Sequence, residues 1–373
     1  MAVITGAGGA RFKKLLPAYT QFNPHWVGFA QLGIPRYGGA AFVYGNVMYV
    51  VGGVGRTGVS SAVERIDLNT LGRSYGAPMP EPRAHFAFGL AGSKLYVLGG
   101  VDRGATPTNT IFVYDIVNNS WSTLAVTLPK RVAYCASATL HRTFLRVVVG
   151  IKPSSYGGTA TYIKIYIDGV GWVDQVPGTF RIEGGVPKAD FDVTPYVGRR
   201  VTRVGLHHTG GGWSDPTDVW IWDKATGTQL YYFRATSHVW DRSFPDYFEY
   251  VNVDWTVSGV TPTQTATIYV VGGIDEEGNV LRDVYVFNPE NNSVTQVASL
   301  SIARQNHACA VLQGMIYCFG GDDGSSPLSS IEVYDPSANR WTLLDVTLPK
   351  PLTGLAAVTV NIRNKDYILL IGG

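Results

Sequence analysis

Five short segments place an arginine or lysine in a similar local setting: IPRYGG, EPRAH, PKRVAY, IARQNH and LPKPLTG. They contribute Arg36, Arg83, Arg131, Arg304 and Lys350, with Arg242, and Arg181 or Lys188, as further members from the middle of the chain. Cations gathered at one place with low-dielectric walls would focus a positive potential suited to a carboxylate or phosphate. Tyr37, His85, Tyr134 and His307 stand beside them and would add aromatic and imidazole surface. The competing use of the same cations is internal. Asp102, Asp275, Glu276, Glu277, Asp322 and Asp323 lie in loops that would emerge nearby, where they could pair with the arginines and neutralise the rim. Those acids lack the full ligand spacing of a calcium loop, so solvated loop charge is the better reading.

Other reactive side chains are sparse. The seven histidines form no HExxH pattern, and His207 and His208 are neighbours in one expected strand, so they point to opposite faces. No nucleophile elbow or phosphate loop occurs, and GAGGAR near the start follows no strand. No catalytic residue, metal or cofactor is therefore expected. The segment HACAVLQGMIYCFGG reads as a hairpin turning at Gln313-Gly314. Counting outward pairs Leu312 with Met315 and Cys309 with Cys318, the latter as a non-hydrogen-bonded pair with Cα atoms about 4.5 Å apart. Two reduced, buried thiols are the preferred reading and a disulfide the alternative, with Cys135 unpaired in both cases.

These residues hang on a repeat. Apolar strands ending in glycine recur at Gly53, Gly100, Gly150, Gly211, Gly273, Gly321 and Gly373, separated by 47, 50, 61, 62, 48 and 52 residues. Each spacing suits four short strands. After each of the first six glycines an alternating strand stops at Asp67, Asp115, Asp168, Asp223, Asn288 or Asp335, whose side chain can bond the turning backbone two residues on. Trp121, Trp172 and Trp341 then open the next strand.

Paired glycines, a Tyr-Asp turn, a Trp and an Arg before the next first strand resemble the kelch-repeat family. The resemblance implies an all-β chain: one seven-bladed β-propeller over 1–373 with four-stranded antiparallel blades. It thins between Lys152 and Pro262, where two longer, irregular blades compete with an inserted sandwich domain. The run Thr217–Phe233, TDVWIWDKATGTQLYYF, favours blades. AYTQFNPHWVGFAQLGIPR at the start parallels VYVFNPENNSVTQVASLSIAR, so N-terminal outer strands are expected to close the last blade around Phe22.

In such a blade the first strand begins where the second ends, so the Arg segments would ring one mouth of the channel. Kelch propellers of ubiquitin-ligase adaptors grip acidic peptides with such arginines, which implies the same here. Enzymatic relatives such as galactose-oxidase-like copper enzymes need a Tyr-Cys crosslink. Tyr134-Cys135 are adjacent in a strand and face opposite ways. Sialic-acid mutarotases and iron-dependent specifier proteins belong to the same wider group, and the iron class's Glu-Asp-His spacing is missing. The reading is a non-enzymatic scaffold for a protein or glycan partner. A sugar-active or oxidative enzyme, and a component of a virion or filament, are the alternatives.

Composition agrees. Hydrophobic residues make up 45% and charged residues 16%, with 44 glycines, 20 prolines and 45 aromatic rings (21 Tyr, 15 Phe, 9 Trp) that favour strands and turns. A net charge of +2 argues against nucleic acid as partner. No secretory signal and no run of about 18 apolar residues is visible, so a soluble chain, cytoplasmic or of virion type, without membrane insertion is expected.

Overall fold

The computed structural model describes residues 3–4, 32–156, 159–210, 213–241, 247–362 and 365–373. No α-helix occurs among them. The chain divides into two compact units, residues 1–141 with 266–373, and residues 142–265.

The first unit is built from blades. Blade 1 pairs Ala40–Tyr44, Val47–Val51, Val63–Asp67 and Arg73–Gly76 in sequence order. Blade 2 does the same with Ala87–Ala91, Lys94–Leu98, Ile111–Asp115 and Ser120–Thr123, and blade 4 with Ala308–Leu312, Met315–Phe319, Ile331–Asp335 and Arg340–Leu343. Blade 3 uses the start of the strand Ala136–Tyr156 and the end of Pro262–Val271, followed by Val284–Asn288 and Ser293–Val297. Blade 5 holds Leu355–Ile362 and Lys365–Gly372, with Val3–Ile4 on the outer edge of the latter. N-terminal backbone therefore does share the last sheet. The strand expected around Phe22 lies outside the described residues.

Five glycine doublets end the second strands, and all ten residues have positive φ, from 56° at Gly320 to 101° at Gly273. Their backbone is also crowded. A Cβ on Gly272 would come within 2.5 Å of the Arg304 carbonyl oxygen, and one on Gly273 within 2.4 Å of that of Ala133. Only glycine combines that φ with that approach. The second glycine of the first four doublets donates its N–H to the next blade: Gly53 to Arg83 O, Gly100 to Val132 O, Gly273 to Arg304 O and Gly321 to Leu352 O, at 2.8–2.9 Å. Consecutive blades are thus tied in chain order, the arrangement of a β-propeller.

Apolar clusters fill the gaps between blades. One joins Val51 and Val63 to Val97 and Phe112, and the next joins Leu98 and Ile111 to Ile268 and Phe287. Two more bridge blades 3 and 4 and blades 4 and 5. Each fully buried Val, Leu, Ile or Phe contributes about 1.5–3 kcal/mol. The outer strands add a polar latch. The Trp121 and Trp341 indoles donate to Ala77 O and Ala298 O of the preceding blade at 2.8 and 2.9 Å. Asn119 and Asn339, two residues before each Trp, accept from Ala77 N and Ala298 N with the same oxygens that take the Tyr114 and Tyr334 hydroxyls. The expected side-chain turns form at Asp67, Asp223, Asn288 and Asp335, each accepting from the backbone two residues on.

The hairpin register at Gln313-Gly314 is as expected, with Cys309 opposite Cys318. Both turn residues have positive φ, 52° and 76°, which makes the turn type I′. The preferred reading of reduced thiols gives way here to a Cys309–Cys318 disulfide, since directly opposed residues put both sulfurs on one face of the hairpin. Cys135 is free, its thiol pushed up to about 12 by burial.

The second unit is a two-sheet sandwich. One sheet orders Arg181–Glu183, Val186–Asp192, the end of Ala136–Tyr156, Trp213–Asp223 and Gln229–Ala235. The other orders Gly171–Asp174, Ala160–Ile167, Arg200–His208, Tyr247–Thr256 and Val239–Trp240. Val147, Val149, Phe191, Val219 and Ile221 from the first pack against Ile163, Ile165, Val204, Leu206 and Val251 from the second in one core. This unit occupies the stretch expected to hold two irregular blades, so the described blade sheets number five, not seven. Gly150 shows why. It lies inside a strand with no positive φ, and a Cβ there would come 2.8 Å from the Trp222 ring. It is the floor under an aromatic side chain, not half of a turning doublet.

Candidate functional site: the mouth of the blade unit

One or two residues before each first strand the backbone is left-handed, at Gly38, His85, Tyr134, Asn306 and Gly354, with φ between 50° and 68°. Their peptides form an arc of hydrogen bonds from blade to blade. His85 N donates to Gly38 O at 2.6 Å, Tyr134 N to His85 O at 2.9 Å, Asn306 N to Tyr134 O at 2.9 Å and Gly354 N to Asn306 O at 2.8 Å. Three of these residues are not glycine, so the arc holds strained backbone, costing of order 1–3 kcal/mol per residue, which the surrounding sheets must impose.

Side chains on the arc form an aromatic row. The His85 ring stacks on Tyr134 at 4.2 Å and meets Tyr37 edge-on at 5.7 Å. Tyr37 is 67% exposed and ends the row. Burial pushes the His85 imidazole below its ordinary value, so it is neutral at pH 7.

The arginines expected at this mouth are mostly turned away from it. Arg36, Arg83 and Arg304 occupy the position two residues before Gly38, His85 and Asn306, and all three side chains are buried. Arg304 donates to Gly320 O at 2.9 Å, Ser330 Oγ at 3.1 Å and Glu332 at 2.7 Å. Arg36 donates to Val50 O at 3.0 Å and pairs with Glu64 at 3.3 Å. Arg83 donates to Pro82 O, Glu81 and Thr110 and lies over the Phe112 ring. Each arginine braces its own blade where the second and third strands meet. Desolvation lowers the Arg36 and Arg304 guanidinium values, opposed by their glutamates. The carboxylates responsible sit at the second residue of the third strand, a signal already present in VERID and IEVYD.

Arg131 is exposed and pairs with Glu276 at 2.9 Å, while Lys130 pairs with Asp283 at 2.7 Å. Both border a cleft of about 450 Å³ between Asn109 and the Asp275–Glu277 loop. Lys350 is exposed. Arg242 lies outside the described residues. Arg181 and Lys188 belong to the sandwich unit and pair with Glu183 there. The loop acids mostly cap their own turns. Asp102 accepts from Gly104 and Thr106, Asp275 from Glu277 and Asn279, and Asp323 from Ser325 and Ser326. Those last two bonds hold the Asp323 carboxyl below the usual range.

His307 is not at the mouth either. It is 6% exposed, neither ring nitrogen has a hydrogen-bond partner, and no bond to a neighbouring blade is made. Burial, reinforced by Arg304, drives its value well down. Behind the arc, the first strands of blades 2 to 5 line an open pocket of about 350 Å³ that includes Gly89, Ser137, Cys309 and Ala357. This confirms which strands are innermost.

Sequence comparison agrees with this architecture. The KLHDC2/KLHL20/DRC7 kelch-repeats domain matches residues 210–373, and the kelch motif matches residues 35–80 and 82–125. Human kelch-like protein 25 is 22% identical over 322 residues, 84% of this chain and 49% of its own length. Human kelch-like protein 34 is 33% identical over 134 residues, 32% of this chain and 20% of that one. Alpha-scruin of Limulus polyphemus is 31% identical over 115 residues, 29% and 12% respectively. The chain thus spans about half or less of the length of these relatives. With these kelch matches, the first of which begins within the sandwich unit, and with glycine doublets, buried arginines and Tyr-Asn-Trp latches in its blades, this chain belongs to the kelch-repeat family.

Proposed function

We propose that the blade unit is a non-enzymatic interaction module that presents its mouth to a protein partner, with residues 142–265 as an inserted domain. The observation that carries this reading is the row Tyr37–His85–Tyr134, aromatic surface fixed on a hydrogen-bonded backbone arc. Rigid rings lose little conformational entropy on contact, which is why aromatic residues anchor interfaces. The exposed charges of the Arg segments, which are Lys350 and the Arg131 that pairs with Glu276, would add a mixed-charge border rather than a cationic well. Recognition by stacking and shape therefore replaces the dense arginine grip. The test is crosslinking and mass spectrometry in the native source, comparing the unaltered chain with Tyr37→Ala/Tyr134→Ala. The same specific partners should disappear with the melting curve preserved. Partners retained by the double variant would overturn the reading.

A second reading concerns the glycan partner and rests on the sandwich. Trp222 lies over Gly150, Trp220 is nearly parallel to it at 6.0 Å and 12°, and Tyr232 stands beside Trp220. Lys188 Nζ covers the Trp222 ring at 4.8 Å, so the half-buried Trp220 and the exposed Tyr232 would offer the apolar contact to a sugar ring. Quenching of tryptophan fluorescence across an oligosaccharide panel, lost in Trp220→Ala, tests it. Quenching unchanged by that substitution would exclude this face.

A further inference from the structure

We propose that Cys309, Cys318 and His307 form, once the disulfide is opened, a buried three-ligand site for a soft closed-shell cation, Zn²⁺ or Cu⁺. The first observation is the histidine. The residue following the backbone arc is Phe86 in blade 2, where an apolar ring packs beside the glycine doublets. Blade 4 puts His307 in the same slot, with Cε1 placed 3.1 Å from where a Gly272 Cβ would lie. An imidazole there, with both nitrogens buried and unpartnered, loses hydrogen bonds that phenylalanine never needed. A ligand that uses a nitrogen lone pair removes that loss.

The second observation is independent of the first. One donor atom each from His307, Cys309 and Cys318 lie within 4.8 Å of one another, and all three residues are buried. Donors sharing one zinc ion at about 2.3 Å for sulfur and 2.0–2.1 Å for nitrogen are separated by less than about 4.6 Å. The cluster, at up to 4.8 Å, stands just outside that limit, and small side-chain rotations on reduction bring it to coordination scale. His307 stands directly before the strand Ala308–Leu312, with its donor atoms in one cluster with those of Cys309, and Cys318 is directly opposite Cys309. Two thiolates and an imidazole select soft or borderline cations over Mg²⁺ or Ca²⁺. The nearest carboxylate on the third strand, Glu332, is already committed to Arg304, Ser301 N and Ile302 N.

The site is conditional on redox state. A dithiol such as dithiothreitol supplies two electrons. Its two sulfurs join in a cyclic disulfide as the Cys309–Cys318 bond breaks, and the dithiol's two protons pass to the two protein sulfurs. Cation binding then releases both protons to solvent, leaving two thiolates and neutral imidazole on the ion. With Zn²⁺ the ensemble is neutral, which suits burial beside the closed Arg304–Glu332 pair. Cys309 lines the open pocket behind the arc, which provides a route for reductant and ion.

The full chain is reduced, freed of reductant under nitrogen, and titrated with Zn²⁺ against a chromophoric indicator and separately with Cu⁺ against a copper(I) chelator. One equivalent should bind in one or both titrations. Co²⁺ in place of Zn²⁺ should give sulfur-to-metal charge-transfer absorption. The oxidised chain should bind at least tenfold more weakly. His307→Phe, which restores the blade 2 residue and should fold, should weaken binding at least tenfold, whereas Cys135→Ala should change nothing. Uptake of neither ion by the reduced chain, or uptake equal in the oxidised chain and in His307→Phe, overturns the proposal.

Discussion

The His85 and Tyr134 rings lie 4.2 Å apart with their planes inclined by 23°, while Tyr134 N donates to His85 O at 2.9 Å. One residue from blade 2 and one from blade 3 are thus locked to each other through both side chain and backbone. Because His85 has a value depressed by burial, the unfolded chain takes up its proton before the folded chain does as pH falls. Stability from this residue is therefore present at pH 7 and lost as pH drops below about 6.5, the ordinary histidine value. His85→Tyr copies the residue that blade 3 already carries at this φ and removes the titration. Denaturant midpoints at pH 7 and pH 5 should differ less in that variant than in the unaltered chain. Equal differences would show that His85 does not contribute.

The buried arginines make a sharper energetic case. Glu332→Ala leaves the Arg304 guanidinium desolvated without its partner, and breaking a buried pair from one side costs about 3–5 kcal/mol. Glu81, whose side chain is 64% exposed, also pairs with a buried arginine, yet water can replace it, so Glu81→Ala should cost about 1 kcal/mol or less. Arg304→Met/Glu332→Leu should recover most of the first loss. Urea midpoints for the three variants decide the ranking.

Two glycines separate crowding from conformation. Gly273 and Gly278 both have positive φ, 101° and 84°, but an added Cβ meets the Ala133 oxygen at 2.4 Å only at Gly273. Gly278→Ala should cost about 1 kcal/mol from backbone strain alone. Gly273→Ala adds a clash that must displace blade 3 or its first strand, and should cost at least twice as much. Thermal melts of both variants, measured side by side, test the difference.

What could be read in advance follows from the range of each interaction. The doublets at Gly53, Gly100, Gly273, Gly321 and Gly373, the turns at Asp67, Asp223, Asn288 and Asp335 and the Cys309–Cys318 register are local patterns that are in place, whereas Asp115 accepts three residues on and Asp168 from Thr202 instead. Gly150 misled because a glycine under Trp222 and a glycine in a turn leave the same letter, and the partner that distinguishes them is 72 residues away. The arginines misled differently. Their position before each first strand was legible, but their direction depends on Glu64 and Glu332 in a third strand. His307 looked like a mouth residue because it follows Arg304 by three. Asn306, on the arc, and His307, in the interior, are adjacent just before the strand, and the left-handed backbone at Asn306 separates the two settings.

The insertion gives the last test. Three complete blades join their first two strands through two-residue turns, Gly45-Asn46, Gly92-Ser93 and Gln313-Gly314. Counting from the arc residue Tyr134, the same turn in blade 3 would follow Leu140, and counting back from Gly272 it would precede Thr267. The intervening residues hold the sandwich, whose core cluster contains only residues from within that stretch. Blade 3 keeps Ala136, Ala138 and Leu140 in the cluster it shares with blade 4. Replacing residues 141–266 by Gly-Asn should therefore yield a chain that still melts cooperatively and keeps the near-ultraviolet signature of the Tyr134 stack and the Trp121 and Trp341 latches. The mouth interaction proposed above should survive in it, and oligosaccharide quenching should be lost. A deleted chain without a cooperative transition would show that blade 3 needs the sandwich to pair its first two strands.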